Sequence, residues 1–128
     1  DTVRFVNEDT VLTVVESNVL SENFDLLQKN LKELKAMRLA NGKQLNIVEL
    51  PMPADVIYED QLLPASYANF YISNGHIIVP TYQCKQDDQA MQIIQSCFPT
   101  REVIGIDSTD IIWGLGSFHC LSQQEPSI

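Results

Sequence analysis

Val3-Arg4-Phe5-Val6-Asn7-Glu8-Asp9-Thr10-Val11-Leu12-Thr13-Val14-Val15 is the stretch that decides how the rest of the chain is read. Two β-branched, apolar runs flank Asn7-Glu8-Asp9, whose short polar side chains favour a turn, so the stretch predicts a hairpin. From Glu22 to Arg38 the residues Phe24, Leu27, Leu31 and Leu34 recur every three or four positions, with acids early and Lys/Arg late. That spacing and charge order predict a helix, ended by Asn41-Gly42. Leu45 to Leu50 follows as a strand, stopped by Pro51 and Pro53.

Beyond a loop from Met52 to Gln61 the same order returns. Tyr67 to Ser73 and His76 to Pro80 read as two strand arms around the Asn74-Gly75 turn. Asp87 is placed to cap a helix reaching Cys97, with Ala90, Met91, Ile94 and Cys97 as its apolar stripe and Pro99 as its stop. Glu102 to Ile106 closes the unit as a strand. A strand, strand, helix, strand unit therefore occurs twice, over about residues 3–50 and 67–106, and Phe118 to Leu121 reads as the strand opening a third. The class is α/β. Such units leave strand edges for a neighbour to cover, although periodicity alone equally allows a self-contained two-layer domain.

With 128 residues, 45% of them hydrophobic and 20% charged, the chain is long enough to bury a core. Seventeen acidic residues against eight basic ones give a formal charge of −9. That balance argues against nucleic acid and anionic membrane as partners and suits a cationic small molecule, while also serving plain solubility. The longest apolar runs fall far short of the roughly 20 residues a membrane span needs. The strand pattern begins at once, with no leader-like segment before it, so the natural N-terminus is expected upstream of Asp1. Three cysteines without a C-x-x-C pair fit a reducing, cytoplasmic setting. Cys84, Cys97, Cys120, His76 and His119 lack the usual spacings of zinc ligands, so no metal site is expected.

The chemistry concentrates in Ile111-Ile112-Trp113-Gly114-Leu115-Gly116-Ser117-Phe118-His119-Cys120-Leu121-Ser122-Gln123-Gln124-Glu125-Pro126. Gly114 and Gly116 allow a tight bend, and Cys120 just after it can offer its sulfur to a cleft. A nucleophilic thiol needs a nearby cation or a base. If Phe118 to Leu121 is extended, His119 and Cys120 point to opposite faces, which leaves His119 a supporting role. The glycines do not open a helix, so a phosphate-cradling loop is not expected. Cys97 reads as a buried helix residue, Cys84 as an incidental surface thiol, and His76 as a strand residue beside a turn. From residues alone, a buried structural cysteine in a noncatalytic α/β interaction domain remains an open reading of Cys120 as well.

The glycine loop with His119-Cys120 and Ser122-Gln123-Gln124-Glu125-Pro126 resembles the C-terminal signature of the agmatine deiminase and peptidylarginine deiminase-like family, G-G-G-x-x-H-C-[IL]-[TS]-Q-Q-x-P. Leu50-Pro51-Met52-Pro53, Leu63-Pro64-Ala65-Ser66-Tyr67-Ala68-Asn69-Phe70-Tyr71-Ile72 and Phe98-Pro99-Thr100-Arg101-Glu102-Val103-Ile104-Gly105-Ile106 resemble it in the same order. The resemblance implies a pentein fold, a ring of five ββαβ units. This chain would be the C-terminal portion of that single catalytic domain, about two repeats plus a final strand, with the active-site loop at 113–121. It further implies that Cys120 is the nucleophile of a guanidinium deiminase, that Gly114, Gly116 and Ser117 bind substrate, and that no metal or organic cofactor takes part. The substrate implied first is agmatine, giving N-carbamoylputrescine and ammonia on the route to putrescine and polyamines, with peptidyl-arginine as the alternative. The family's general acid/base histidine and its aspartate, from a G-H-x-D segment, are expected just upstream of residue 1, Asp1 itself being the second register. The expected partners are the missing N-terminal portion and the substrate, with a homo-oligomer allowed. Trp113, Leu115 and Ser117 depart from the common pattern, leaving substrate choice open.

Overall fold

The computed structural model describes residues 1–128. Strand β1 (Val3–Phe5) pairs antiparallel with β2 (Thr10–Val15), Arg4 opposite Leu12. Asn7 makes the turn, its Oδ1 accepting the amides of Asp9 at 3.0 Å and Thr10 at 2.9 Å, an Asx turn. Helix α1 (Phe24–Ala36) then crosses over, and β3 (Asn46–Pro51) returns parallel to β2, with Leu12 opposite Val48. Because β2 is central and covered on both faces, Val11, Leu12, Thr13 and Val14 are all buried. This is why its sequence is a continuous apolar run rather than an alternating one. Helix α1 buries Leu27, Leu31 and Leu34, one stripe at four- and three-residue spacing, each such side chain worth about 1.5–3 kcal/mol in transfer from water.

The second unit repeats the order. Strand β6 (Tyr71–Ile72) pairs antiparallel with β7 (His76–Thr81), α2 (Gln86–Cys97) crosses, and β8 (Glu102–Asp107) lies parallel to β7. Ala90 and Ile94 face inward from α2, while Met91 and Cys97 are half-buried against the same core. One cluster of 16 buried side chains joins both units, from Leu12 and Leu50 through Tyr67 and Phe70 to Ile77, Ile94 and Ile112. In each three-stranded sheet the outer strands are paired on one side only, and Phe5 and Ile106 on those strands are exposed.

Four expectations are corrected. The strand expected from Tyr67 is regular only at Tyr71–Ile72. Residues 67–70 are buried irregular backbone, because their carbonyls serve partners far away in sequence rather than a ladder. The Met52–Gln61 loop contains a small hairpin, β4 (Ile57–Tyr58) and β5 (Gln61–Leu62), turned by Glu59 and Asp60 in left-handed backbone. Asp87 does not cap α2, whose N-cap is Lys85 without a side-chain bond. Its carboxylate instead accepts the Tyr67 hydroxyl at 2.6 Å and the amides of Tyr82 and Cys84 at 3.1 Å. Finally, Phe118–Leu121 is not a strand. After a 3₁₀ helix (Ile111–Gly114) the chain makes a turn closed by Leu121 N–H donating to Ser117 O at 3.0 Å, so the anticipated final strand is absent from this chain.

Candidate active site

Cys120 occupies that turn and is exposed, whereas Ser117, which starts it, is fully buried. The turn is anchored on the irregular segment 67–70. Asn69, only 3% exposed, accepts on Oδ1 from His119 N at 3.0 Å and Cys120 N at 3.2 Å. Its Nδ2 donates to Cys120 Sγ at 2.9 Å, and its carbonyl accepts the Ser117 hydroxyl at 3.3 Å. Two backbone donors can face only the amide oxygen, so the NH₂ group must be the one that meets the sulfur.

Segment 67–70 is held in turn from the first strand. Arg4 Nη1 donates to Ala68 O at 3.0 Å and Phe70 O at 2.8 Å, the carbonyls on either side of Asn69. Its guanidinium lies 4.5 Å from the Phe70 ring centroid, a favourable cation–π placement. Burial pulls the Arg4 guanidinium below its ordinary value, and the charge of Cys120 pulls it back up. Arg4 thus sets a cation on the backbone that carries Asn69, the residue that donates to the thiol.

Asp1 completes the cluster. His119 Nδ1 donates to Asp1 Oδ2 at 2.5 Å, Arg4 Nη1 lies 3.9 Å from the same oxygen, and Ser66 Oγ donates to the Asp1 carbonyl at 2.7 Å. A carboxylate only accepts, so Nδ1 carries a proton and neutral His119 has its lone pair on Nε2. Partial burial, then Arg4, hold His119 below its ordinary value; the Asp1 carboxylate acts in the opposite sense.

Gly116 packs against the thiol. A Cβ on it would lie 2.6 Å from Cys120 Cβ and 2.9 Å from Sγ. Leu115 has a φ of 66°, a left-handed conformation that glycine adopts freely. This explains physically why the resembling signature has glycine there. Gly114 ends the 3₁₀ helix, and Trp113 beside it stacks on Tyr58 of the small hairpin at 4.0 Å between centroids. Ser117, expected to bind substrate, spends its hydroxyl inward on Asn69.

The remaining candidates lie elsewhere. Half-buried Cys97 has its thiol pushed up by burial. Cys84 is no incidental surface thiol, since its sulfur lies 3.2 Å from the Tyr67 hydroxyl and 3.5 Å from Asp87. His76 opens β7, 3.5 Å from Glu102. The largest cavity, about 1090 Å³, is lined by residues such as Glu16, Glu49, Met52 and Gln86 and includes none of residues 113–121. Sequence reasoning does not single out Arg4 or Asn69 as partners of Cys120, and it holds Asp1 only as the second register of the family's aspartate.

Two ββαβ units carrying an exposed cysteine on a glycine-rich turn define an α/β chain with a candidate thiol site. The profile of the Porphyromonas-type peptidyl-arginine deiminase family matches residues 1–126, and the chain belongs to that family. A protein of Porphyromonas gingivalis provisionally named an arginine deiminase superposes with a TM-score of 0.95 at 38% identity, over 98% of this chain and 37% of that one. The agmatine deiminase of C. jejuni gives 0.84 at 32% identity, over 93% and 36%. A protein of Selenomonas ruminantium provisionally named an agmatine deiminase is 32% identical over 97% of this chain and 38% of its own length. The chain spans between 28% and 39% of the curated relatives it matches. No helix is long and apolar enough to cross a membrane.

Proposed function

We propose that this chain is the C-terminal portion of a guanidinium deiminase, with Cys120 as its nucleophile and agmatine as its substrate. The observation that carries the reading is the exposed Cys120 sulfur, held by the buried amide of Asn69, whose flanking carbonyls the Arg4 guanidinium anchors. The thiolate forms a bond to the central guanidinium carbon. One C–N bond then breaks as a general acid protonates the departing nitrogen, releasing ammonia. Water, deprotonated by the same group, adds to the thiouronium carbon, and the C–S bond breaks to return the thiolate and N-carbamoylputrescine. The general acid/base and the carboxylates that clamp the guanidinium belong, in this reading, to the portion upstream of residue 1. Gly114 and Gly116 let substrate approach the sulfur, and Ser117 contributes through the turn it anchors. The three free cysteines support a reducing, cytoplasmic setting.

The test is ammonia release from agmatine by the protein that carries this chain, with and without Cys120→Ser. Loss of at least about 10³-fold is expected, since a serine hydroxyl without a matched base is a far weaker nucleophile. Retention of more than a tenth of the turnover overturns the assignment. A second substrate, peptidyl-arginine, is favoured by the description of the matching family. Comparing free agmatine with an arginyl peptide in the same assay decides between them.

A further inference from the structure

We infer that Asn69 is the thiolate-holding residue of this site, a positioning group that donates to the sulfur and sets the turn on which the sulfur stands. The inference rests on the reading of Cys120 as a nucleophile. One side chain does both tasks, because its oxygen gathers the amides of His119 and Cys120 while its nitrogen donates to Sγ at 2.9 Å. Its orientation admits no alternative rotamer of the amide without setting NH₂ against two N–H donors. The backbone is equally constrained, since Arg4 binds the carbonyls before and after it and Ser117 binds its own.

A hydrogen bond to an ionised acceptor is stronger than one to a neutral acceptor, so Asn69 favours the reactive form of the sulfur over the thiol. Such bonds change an equilibrium by about 10- to 100-fold. Partial compensation follows, because a more basic thiolate is also more nucleophilic. Asn69→Asp separates the two tasks: Oδ1 still accepts the two amides, but an oxygen now faces the sulfur. Asn69→Ser removes both the amide donor and the amide acceptor.

The experiment uses the protein that carries this chain and follows iodoacetamide alkylation of Cys120 at neutral pH, with Cys84 as internal reference. Both variants should alkylate Cys120 about 3- to 10-fold more slowly, and kcat for agmatine should fall by at least as much with KM changed less than about threefold. A folded Asn69→Asp protein that alkylates Cys120 at the unsubstituted rate overturns the inference. If the aspartate variant does not fold, Asn69→Ser is read in the same way. A measurement needing no variant covers the case in which neither folds: the Asn69 side-chain amide resonance must move when Cys120 of the unsubstituted protein is alkylated, and an unmoved signal overturns the inference. Slowed alkylation in a protein that never deiminates agmatine leaves Asn69 in place and removes only the substrate reading.

Discussion

Gly116→Ala should disable the site while sparing the fold. The new Cβ would meet Cys120 Cβ at 2.6 Å and Sγ at 2.9 Å, whereas nonbonded carbons rest at about 3.5–4.0 Å. Relief requires the Cys120 side chain to retreat by about 1 Å, the difference between those distances. A retreat of that size stretches the 2.9 Å bond from Asn69 Nδ2 toward the outer reach of a hydrogen bond to sulfur and so weakens it. A misplacement of about 1 Å in a reacting group costs on the order of 10²-fold in rate. The stability cost should stay below the roughly 1–3 kcal/mol of core overpacking, since Cys120 is exposed and its turn has room to yield outward. Steady-state kinetics with agmatine and thermal unfolding, both on the protein that carries this chain, give the two readouts. A variant retaining half of kcat would refute the reasoning, because it would mean that the sulfur need not stand where Gly116 and Asn69 place it.

Asp87→Ala should destabilise the protein by about 2–4 kcal/mol in urea unfolding, leaving the Tyr67 hydroxyl and the amides of Tyr82 and Cys84 without their acceptor; an unchanged midpoint would mean that Asp87 does not hold these three donors together. Burial first, then the bond to Asp87, pushes the Tyr67 phenol far up, and burial pushes Tyr82 up as well. A folded value above the unfolded one gives stability that is present below pH ~10 and lost as pH rises further. Ultraviolet difference titration should therefore show these two phenols ionising only together with unfolding, and smooth ionisation of all four tyrosines in a folded protein would contradict it.

The sequence was most legible where local chemistry and burial agree. Thr10–Val15 is β-branched throughout apart from Leu12 and follows an Asx turn, and the strand has those bounds. The Leu27, Leu31 and Leu34 stripe marks α1 because its spacing matches the helical repeat. Tyr67-Ala68-Asn69-Phe70 misleads because apolar residues around one amide look like a strand, while Arg4 and residues 117–119 claim its backbone. Nothing within a few residues of Asn69 announces those partners. The small hairpin was hidden for a local reason: Glu59 and Asp60 turn it in left-handed backbone without a glycine, so the usual turn signal is absent. Cys120 and its glycines were found through motif resemblance, whereas Arg4 and Asn69 are defined only by geometry.

That geometry gives the site its dependence on the fold. Arg4 is the middle residue of β1 and opposite buried Leu12, so the first unit's hairpin fixes where its guanidinium points. The guanidinium fixes the carbonyls flanking Asn69, and Asn69 fixes the turn and the sulfur. Disturbing Arg4 must therefore act on packing and reactivity together, since the same donor leaves two buried carbonyls unpaired when it is lost. Gly116 touches only the last member of the series, which is why its replacement separates the two effects. Asp1 and His119 bridge the start of the first unit to the turn by a second route. The turn is thus tied to the first unit by two routes, through Asn69 and through His119, so the position of the Cys120 sulfur depends on the first hairpin.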